Sequence, residues 1–287
     1  MRKMISQVER FGIAALSRAV RERRPLVHCI TNYVTVNDCA NALLAVGAAP
    51  VMADDIEEVA EIAGLAQAVV LNIGTLNRRT LASMVAAGQR ASALGRPVVL
   101  DPVGAGASRL RTDAAWALLS DVRVSVVRGN LSEVKALLGG PATTRGVDAA
   151  EEDVRGEGVS GAAAAANALA QRSGAIVAVT GATDVVADGR PGHTLAVRNG
   201  HPLLARMTGS GCMLTAVAGA FCAVAPEQIF RAVAAALGVM GLAGEQAAVR
   251  AEREGGGTGS FRVWLMDALS RMDDAALAGG MKLERLA

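Results

Sequence analysis

The sequence predicts an α/β protein built on a mainly parallel sheet, and three observations carry that reading. Short apolar, β-branched runs alternate along the chain with longer stretches of helical periodicity. The short runs are apolar throughout rather than alternating, as strands buried on both faces are. The residues are 52% hydrophobic but only 2% aromatic, with 32 glycines, so the core must be Ala, Val, Leu and Met, which suits close packing of helix on sheet. A chain of 287 residues can bury about 75% of its unfolded surface without disulfide or metal staples.

In order, strands are expected at Leu26–Ile30, Pro50–Ala53, Ala68–Ile73, Pro97–Val103, Val122–Val127 and Ala175–Thr180. Helical patterns separate them at Val36–Val46, Ile56–Leu65, Arg79–Leu94, Ala114–Leu119, Leu131–Leu138 and Gly161–Arg172. After Thr180 the pattern changes to a hairpin, Asp184–Ala187 and Thr194–Arg198, turning through Asp188-Gly189-Arg190-Pro191-Gly192. Long helices follow at Cys212–Val224, Glu227–Arg250 and Phe261–Arg271, with Gly255-Gly256-Gly257 read as a flexible connector. The stretch Gly139–Gly161 resembles a linker, but similar elements flank it, so residues 1–287 are read as one domain.

Composition excludes several functions. Lys plus Arg number 29 and Asp plus Glu 27, and the one basic cluster, Arg21, Arg23 and Arg24, is broken by Glu22. With seven aromatic residues there is also no platform for stacking bases, so nucleic acid is not an expected partner. Cys29, Cys39, Cys212 and Cys222 form no CxxC or zinc-type spacing and suggest a reducing, cytoplasmic setting. Glu9 and Arg10 interrupt any signal-peptide core, and the dense apolar run Cys212–Ala225 is short for a membrane span. No membrane association is expected.

Ligands of open α/β sheets bind beyond the carboxyl ends of the strands, and four such ends carry unusual residues. In Val99-Leu100-Asp101-Pro102-Val103-Gly104-Ala105-Gly106 a carboxylate leaves an apolar strand. Asp101 either caps the turn or holds a hard cation such as Mg²⁺ through water. A GxGxxG reading fails there, because Arg109 stands in the third glycine's place and no helix is expected to open directly. In Val127-Arg128-Gly129-Asn130-Leu131-Ser132-Glu133, Asn130 and Glu133 have the spacing of a capping box, which would also aim them at the sheet edge near Asp101. Val179-Thr180-Gly181 is an ordinary turn or a nucleotide contact. In Met207-Thr208-Gly209-Ser210-Gly211-Cys212 small residues precede a long apolar helix, leaving N–H groups free for an anion. Cys212 is buried and structural, or a thiol whose pKa the helix dipole lowers. His28 reads as a core histidine, His193 and His201 as solvated.

Taken together, PLVHCITNYVTVNDCANALLAVGAAPVMA, LNIGTL, VLDPVGAGAS, VVRGNLSEVKAL, VAVTGATDVVADG and LLARMTGSGCMLTAVAGAF resemble the hydroxyethylthiazole kinases of the ribokinase-like superfamily, from about Pro25 to Arg271. The resemblance implies a three-layer α/β/α fold and a homotrimer with active sites at subunit interfaces. It implies transfer of the ATP γ-phosphate to the primary alcohol of 4-methyl-5-(2-hydroxyethyl)thiazole in thiamin salvage. Carried over by position, Met52, Gly209 and Asn32 would line the thiazole site. Arg128, Thr180, Asn130 and Gly211 would contact ATP, and Asp101 and Glu133 would lie around Mg²⁺. Cys212 occupies the place where many superfamily members carry an aspartate base. The rivals are a related small-alcohol kinase such as a hydroxymethylpyrimidine kinase, a nucleotide-dependent dehydratase, and a non-catalytic thiazole or nucleotide sensor of the same fold.

Overall fold

A computed structural model describes residues 3–139 and 158–286. The chain opens with β1 (Lys3–Met4), α1 (Gln7–Arg23), β2 (Leu26–Ile30), α2 (Val36–Val46) and β3 (Ala49–Val51). It continues through α3 (Val59–Leu65), β4 (Ala68–Asn72), α4 (Arg78–Ala93), β5 (Val98–Asp101) and α5 (Arg109–Asp121). Next come β6 (Val126–Asn130), α6 (Leu131–Leu137), α7 (Gly158–Ser173), β7 (Ile176–Thr180), β8 (Asp184–Ala187) and β9 (Thr194–Val197). Helices α8 (Ser210–Val224), α9 (Ile229–Glu254), α10 (Thr258–Arg271) and α11 (Asp274–Gly280) precede β10 (Leu283–Leu286).

The ten strands of the described residues form one sheet, ordered β1-β10-β9-β8-β7-β6-β5-β4-β2-β3. From β7 to β3 the pairing is parallel, and from β7 to β1 it is antiparallel. The parallel strands send alternate residues to opposite faces. Val69 and Leu71 of β4 enter one core with Val98 and Leu100, while Val70 and Val99 enter the other. The first core packs under α3 to α7, the second under α1, α2 and α8 to α11, which makes the three layers. Leu71 and Leu100 are completely buried, and each such side chain contributes about 1.5–3 kcal/mol. The helix with the length and apolarity of a membrane span is Pro226–Glu254, not the Cys212–Ala225 run. Its apolar window is 83% buried inside the fold, so those residues belong to the core.

Several boundaries differ from the sequence reading. The strand expected through Val103 stops at Asp101, because Pro102 supplies no N–H and a glycine turn follows. Val122 ends α5, which delays β6 to Val126. A helix does open after the glycine turn, at Arg109, because the Ser108 side chain accepts from Arg111 N. Helix α1, β1, β10 and α11 were not anticipated. The Gly255–Gly257 connector is a close corner: Gly255, at φ +64°, ends α9, and Gly257 starts α10. Of the Gly139–Gly161 stretch, residues 158–161 begin α7, and 140–157 lie outside the described residues.

Candidate functional site

Because β2, β4, β5, β6 and β7 run parallel, their carboxyl ends share one edge. Register places Asn72 of β4 against Asp101 of β5, and Asn130 of β6 against Thr180 of β7. The amino end of α8 comes to the same edge. Its N-cap, Gly209, sits at φ +86°, where a side chain is strained, and a Cβ there would lie 2.6 Å from Thr35 Cγ2. No side chain caps this helix, so the first amides of α8 keep free N–H groups beside a positive helix end.

Asp101 is fully buried at the centre. Its Oδ2 accepts from Thr215 Oγ1 at 2.7 Å and from Asn72 Nδ2 at 3.0 Å. Its Oδ1 has no hydrogen-bond partner and lies 3.7 Å from Arg128 Nη1. Burial pushes the Asp101 carboxyl above the usual range, while Arg128, Thr215 and Asn72 pull it back.

An ionised carboxylate only accepts, and this fixes the polarity of every amide linked to it. Asn72 must give its N–H to Asp101, so Asn72 Oδ1 accepts, from Gly74 N at 2.9 Å and Asn32 Nδ2 at 3.0 Å. Asn32 Oδ1 then takes Thr35 N at 3.2 Å and Thr35 Oγ1 at 3.1 Å. The second N–H of Asn32 is left for Cys212 Sγ, 3.3 Å away. Asn32 is thus buried and bonded wholly to protein groups.

Cys212 lies in the first turn of α8, half-buried. Its thiol is raised, not lowered as expected from the helix dipole. Burial is the larger cause and the charge of Asp101 the second, and together they outweigh Thr35, Asn32 and Asn72, which pull it down. At neutral pH the group is a thiol.

Arg128 closes the other side. Its Nη2 donates to Thr180 Oγ1 at 2.5 Å, and Thr180 Oγ1 donates to Gly129 O at 3.3 Å. The guanidinium lies directly over Gly211, where a Cβ would strike it, so a side chain at that position would displace Arg128 from Thr180. Asn130 caps α6, as the sequence spacing suggested: its Oδ1 accepts from Glu133 N at 2.9 Å and from Ser132 Oγ at 2.8 Å. Glu133 Oε2 accepts from Asn130 N and Oε1 from Gly104 N, both at 2.8 Å. Burial first, and then the charge of Asp101, push Glu133 up to about 7. Two acids, one with an unpartnered oxygen, suit a hard cation held largely through water and phosphate. Among the described residues no group of three or more His, Cys, Asp or Glu offers a closed metal cage.

Met52, just past β3, is half-buried against the core beneath α2 and α8. His28, completely buried on β2, donates from Nε2 to Ala53 O at 2.7 Å and so anchors the residue after Met52. Burial lowers its pKa, which keeps it neutral, as expected of a core histidine. His201 caps the 3₁₀ turn Pro202–Arg206, and His193 lies 3.3 Å from Asp188. Sequence reasoning missed Asn72, Thr215 and Arg111. Arg111 donates to the carbonyls of Ile73, Gly74 and Val103 at 2.7–2.8 Å, tying the loops after β4 and β5 together. Both Asn72 and Thr215 sit inside apolar runs, where a lone polar residue was the available signal.

Comparisons with known proteins bear on the family and the fold. The model of the hydroxyethylthiazole kinase family matches residues 17–275. A hydroxyethylthiazole kinase from Desulfovibrio desulfuricans is 51% identical over 275 residues, covering 93% of this chain and 96% of its own. The solved structure of a hydroxyethylthiazole kinase protein from Pyrococcus horikoshii OT3 superposes with a TM-score of 0.85 at 44% identity, covering 96% of this chain and 99% of its own. A ribokinase-like superfamily protein from Enterococcus faecalis, at 11% identity, shares the fold alone, with a TM-score of 0.53 over 93% of this chain and 96% of its own.

Proposed function

We infer that this chain, which belongs to the hydroxyethylthiazole kinase family, transfers the γ-phosphate of ATP to the primary alcohol of 4-methyl-5-(2-hydroxyethyl)thiazole. One observation carries the reading from family to chemistry. The uncapped end of α8 brings free amides, the Arg128 guanidinium over Gly211, the Asp101 carboxylate under Thr215 and the Cys212 thiol to one place. Those are the parts phosphoryl transfer needs, since its catalysis is mostly positioning and charge neutralisation.

Arg128 and Thr180 lie along the ATP phosphates, and the amides of Gly209 to Cys212 receive charge on the group in flight. Asp101 Oδ1 with Glu133 would hold Mg²⁺, largely through water, and the ion would supply charge neutralisation for the phosphates. Asn130 fixes Glu133 through its backbone N–H and Oδ1, which leaves its side-chain N–H for ATP. The alcohol oxygen bonds to the γ-phosphorus as the bond to ADP breaks, and its proton leaves late in a loose transition state, to an oxygen of the transferred phosphoryl group or to water. Cys212, held as a thiol by burial and Asp101, first orients the attacking hydroxyl. Met52 offers a polarizable wall to the flat, sulfur-containing ring, and Gly209, where a Cβ would strike Thr35, leaves the start of α8 free of a side chain. Asn32 supports the pocket from below, through Thr35 and Cys212.

The enzyme acts as a homotrimer with active sites between subunits. Support comes from β3, the open edge of the sheet, and from large exposed apolar residues on its neighbours: Tyr33, Val34, Leu44, Ile56 and Leu65. The described elements all pack on one sheet, which supports one kinase domain. Four unpaired cysteines suit the cytoplasm.

ADP release by the purified protein with MgATP tests the function, comparing hydroxyethylthiazole, hydroxymethylpyrimidine and no acceptor. Release with the thiazole alone is expected. Release with the pyrimidine alone overturns the substrate, and binding of thiazole without turnover makes the protein a sensor.

A further inference from the structure

Thr215 and Asn72 have no part in the chemistry above, yet both commit a donor to one atom. Thr215 Oγ1 lies 2.7 Å from Asp101 Oδ2 and 3.1 Å from Gly211 O. With a single proton to give, the hydroxyl favours the closer, charged acceptor. Asn72 approaches the same Oδ2 from β4, and its amide cannot turn over, because Gly74 N and Asn32 Nδ2 both donate to its oxygen. Two elements, β4 and α8, therefore grip one carboxylate oxygen. The other, Oδ1, is buried with no hydrogen-bond donor; the Arg128 guanidinium, 3.7 Å away, meets it as a charge and leaves its lone pairs open to a further partner.

The terminal torsion of an aspartate is soft and nearly two-fold, so an unheld carboxylate exchanges its two oxygens readily. We propose that Thr215 and Asn72 are positioning residues, which lock the Asp101 carboxylate so that Oδ1 alone is presented to the metal–nucleotide. This rests on the reading of Asp101 as an acid that holds the metal. It also accounts for a threonine in the middle of the apolar, buried helix α8, where alanine or valine would otherwise serve.

The test uses Mn²⁺ as the probe, titrated by electron paramagnetic resonance into the protein with a non-hydrolysable ATP analogue. Thr215→Val keeps the shape of the side chain and removes the donor. It should weaken Mn²⁺ binding about tenfold, the scale of one hydrogen bond to a charged group, and lower kcat. The KM for thiazole should stay within about twofold of wild type, since that ring lies elsewhere. Thr215→Ser should restore both Mn²⁺ binding and kcat, and Asn72→Leu should weaken Mn²⁺ binding as Thr215→Val does. If Thr215→Val does not fold, Thr215→Ala carries the same expectation. A folded variant without the hydroxyl that binds Mn²⁺ like wild type overturns the proposal alone. Equal losses of Mn²⁺ and thiazole binding would mark a general loosening of α8 and overturn it too. If wild type itself binds no Mn²⁺, the metal role of Asp101 fails and this proposal falls with it.

Discussion

The phosphate side of the site and the side next to edge strand β3 are built in opposite ways. Around Asp101 everything is interlocked within one chain: Asp101 is fully buried, Glu133 is 3% exposed, and each is held by donors from different elements. Beside β3 the surface is apolar and open, with Tyr33 77%, Val34 59% and Ile56 48% exposed near the half-buried Met52. Charge chemistry requires a rigid, dry arrangement, which one fold can provide by itself. An apolar ring needs enclosing walls, and here the walls stop at the sheet edge. On the proposed trimer, a neighbouring subunit supplies the rest.

The most damaging way to break the closed side is Asp101→Asn. It should cut kcat by roughly 100- to 1,000-fold while leaving the thiazole KM nearly unchanged, by steady-state kinetics. Cys212 stands between the two sides. Cys212→Ala should lower kcat by about 100-fold or less, with little change in ATP binding by calorimetry. Cys212→Asp should keep substantial activity if a base can serve there, and if both variants match wild type the sulfur is structural. On the open side, Met52→Ala should raise the thiazole KM through the loss of one buried side chain, at most about 1.5–3 kcal/mol, or roughly 10- to 100-fold. An unchanged KM would remove Met52 from the pocket.

The smallest expected effect concerns stability. Asp184, whose Oδ1 accepts from Gly181 N at 3.0 Å, is pushed up to about 7 by burial. The folded state therefore binds this proton more tightly than the unfolded chain does. The carboxyl costs nothing below the ordinary value of 3.8, and its penalty grows as pH rises to about 7. Asp184→Asn should gain in Tm relative to wild type between pH 4 and pH 8. A difference that stays flat with pH would show that Asp184 ionises normally in the fold.

The closed side was also the more legible in sequence. Strands whose residues face two cores are apolar throughout, so Asp101, Arg128 and Thr180 stand out on the closed side as polar ends of apolar runs, whereas on the open side the same pattern bounds β2 and α2 but marks no site residue. The parallel order of the strands then brought those ends together. The antiparallel side was harder. Strands β1 and β10 are short and pair across nearly the whole chain, Lys3 with Arg285, so no local pattern announces them. Asn72 was hidden because its importance lies in a bond to Asp101 set by register. The direction of the Cys212 shift was misread for a similar reason: the dipole is visible in the sequence, but the burial and the facing carboxylate that raise the thiol are not.

The contrast itself is tested most directly by dilution. Thiazole KM and the affinity for a fluorescent ATP analogue would be followed across protein concentration, with the assembly state read by mass photometry. Nucleotide affinity per chain should hold constant while thiazole KM rises as subunits separate. A monomer that binds and phosphorylates thiazole as well as the assembly does would contradict the account.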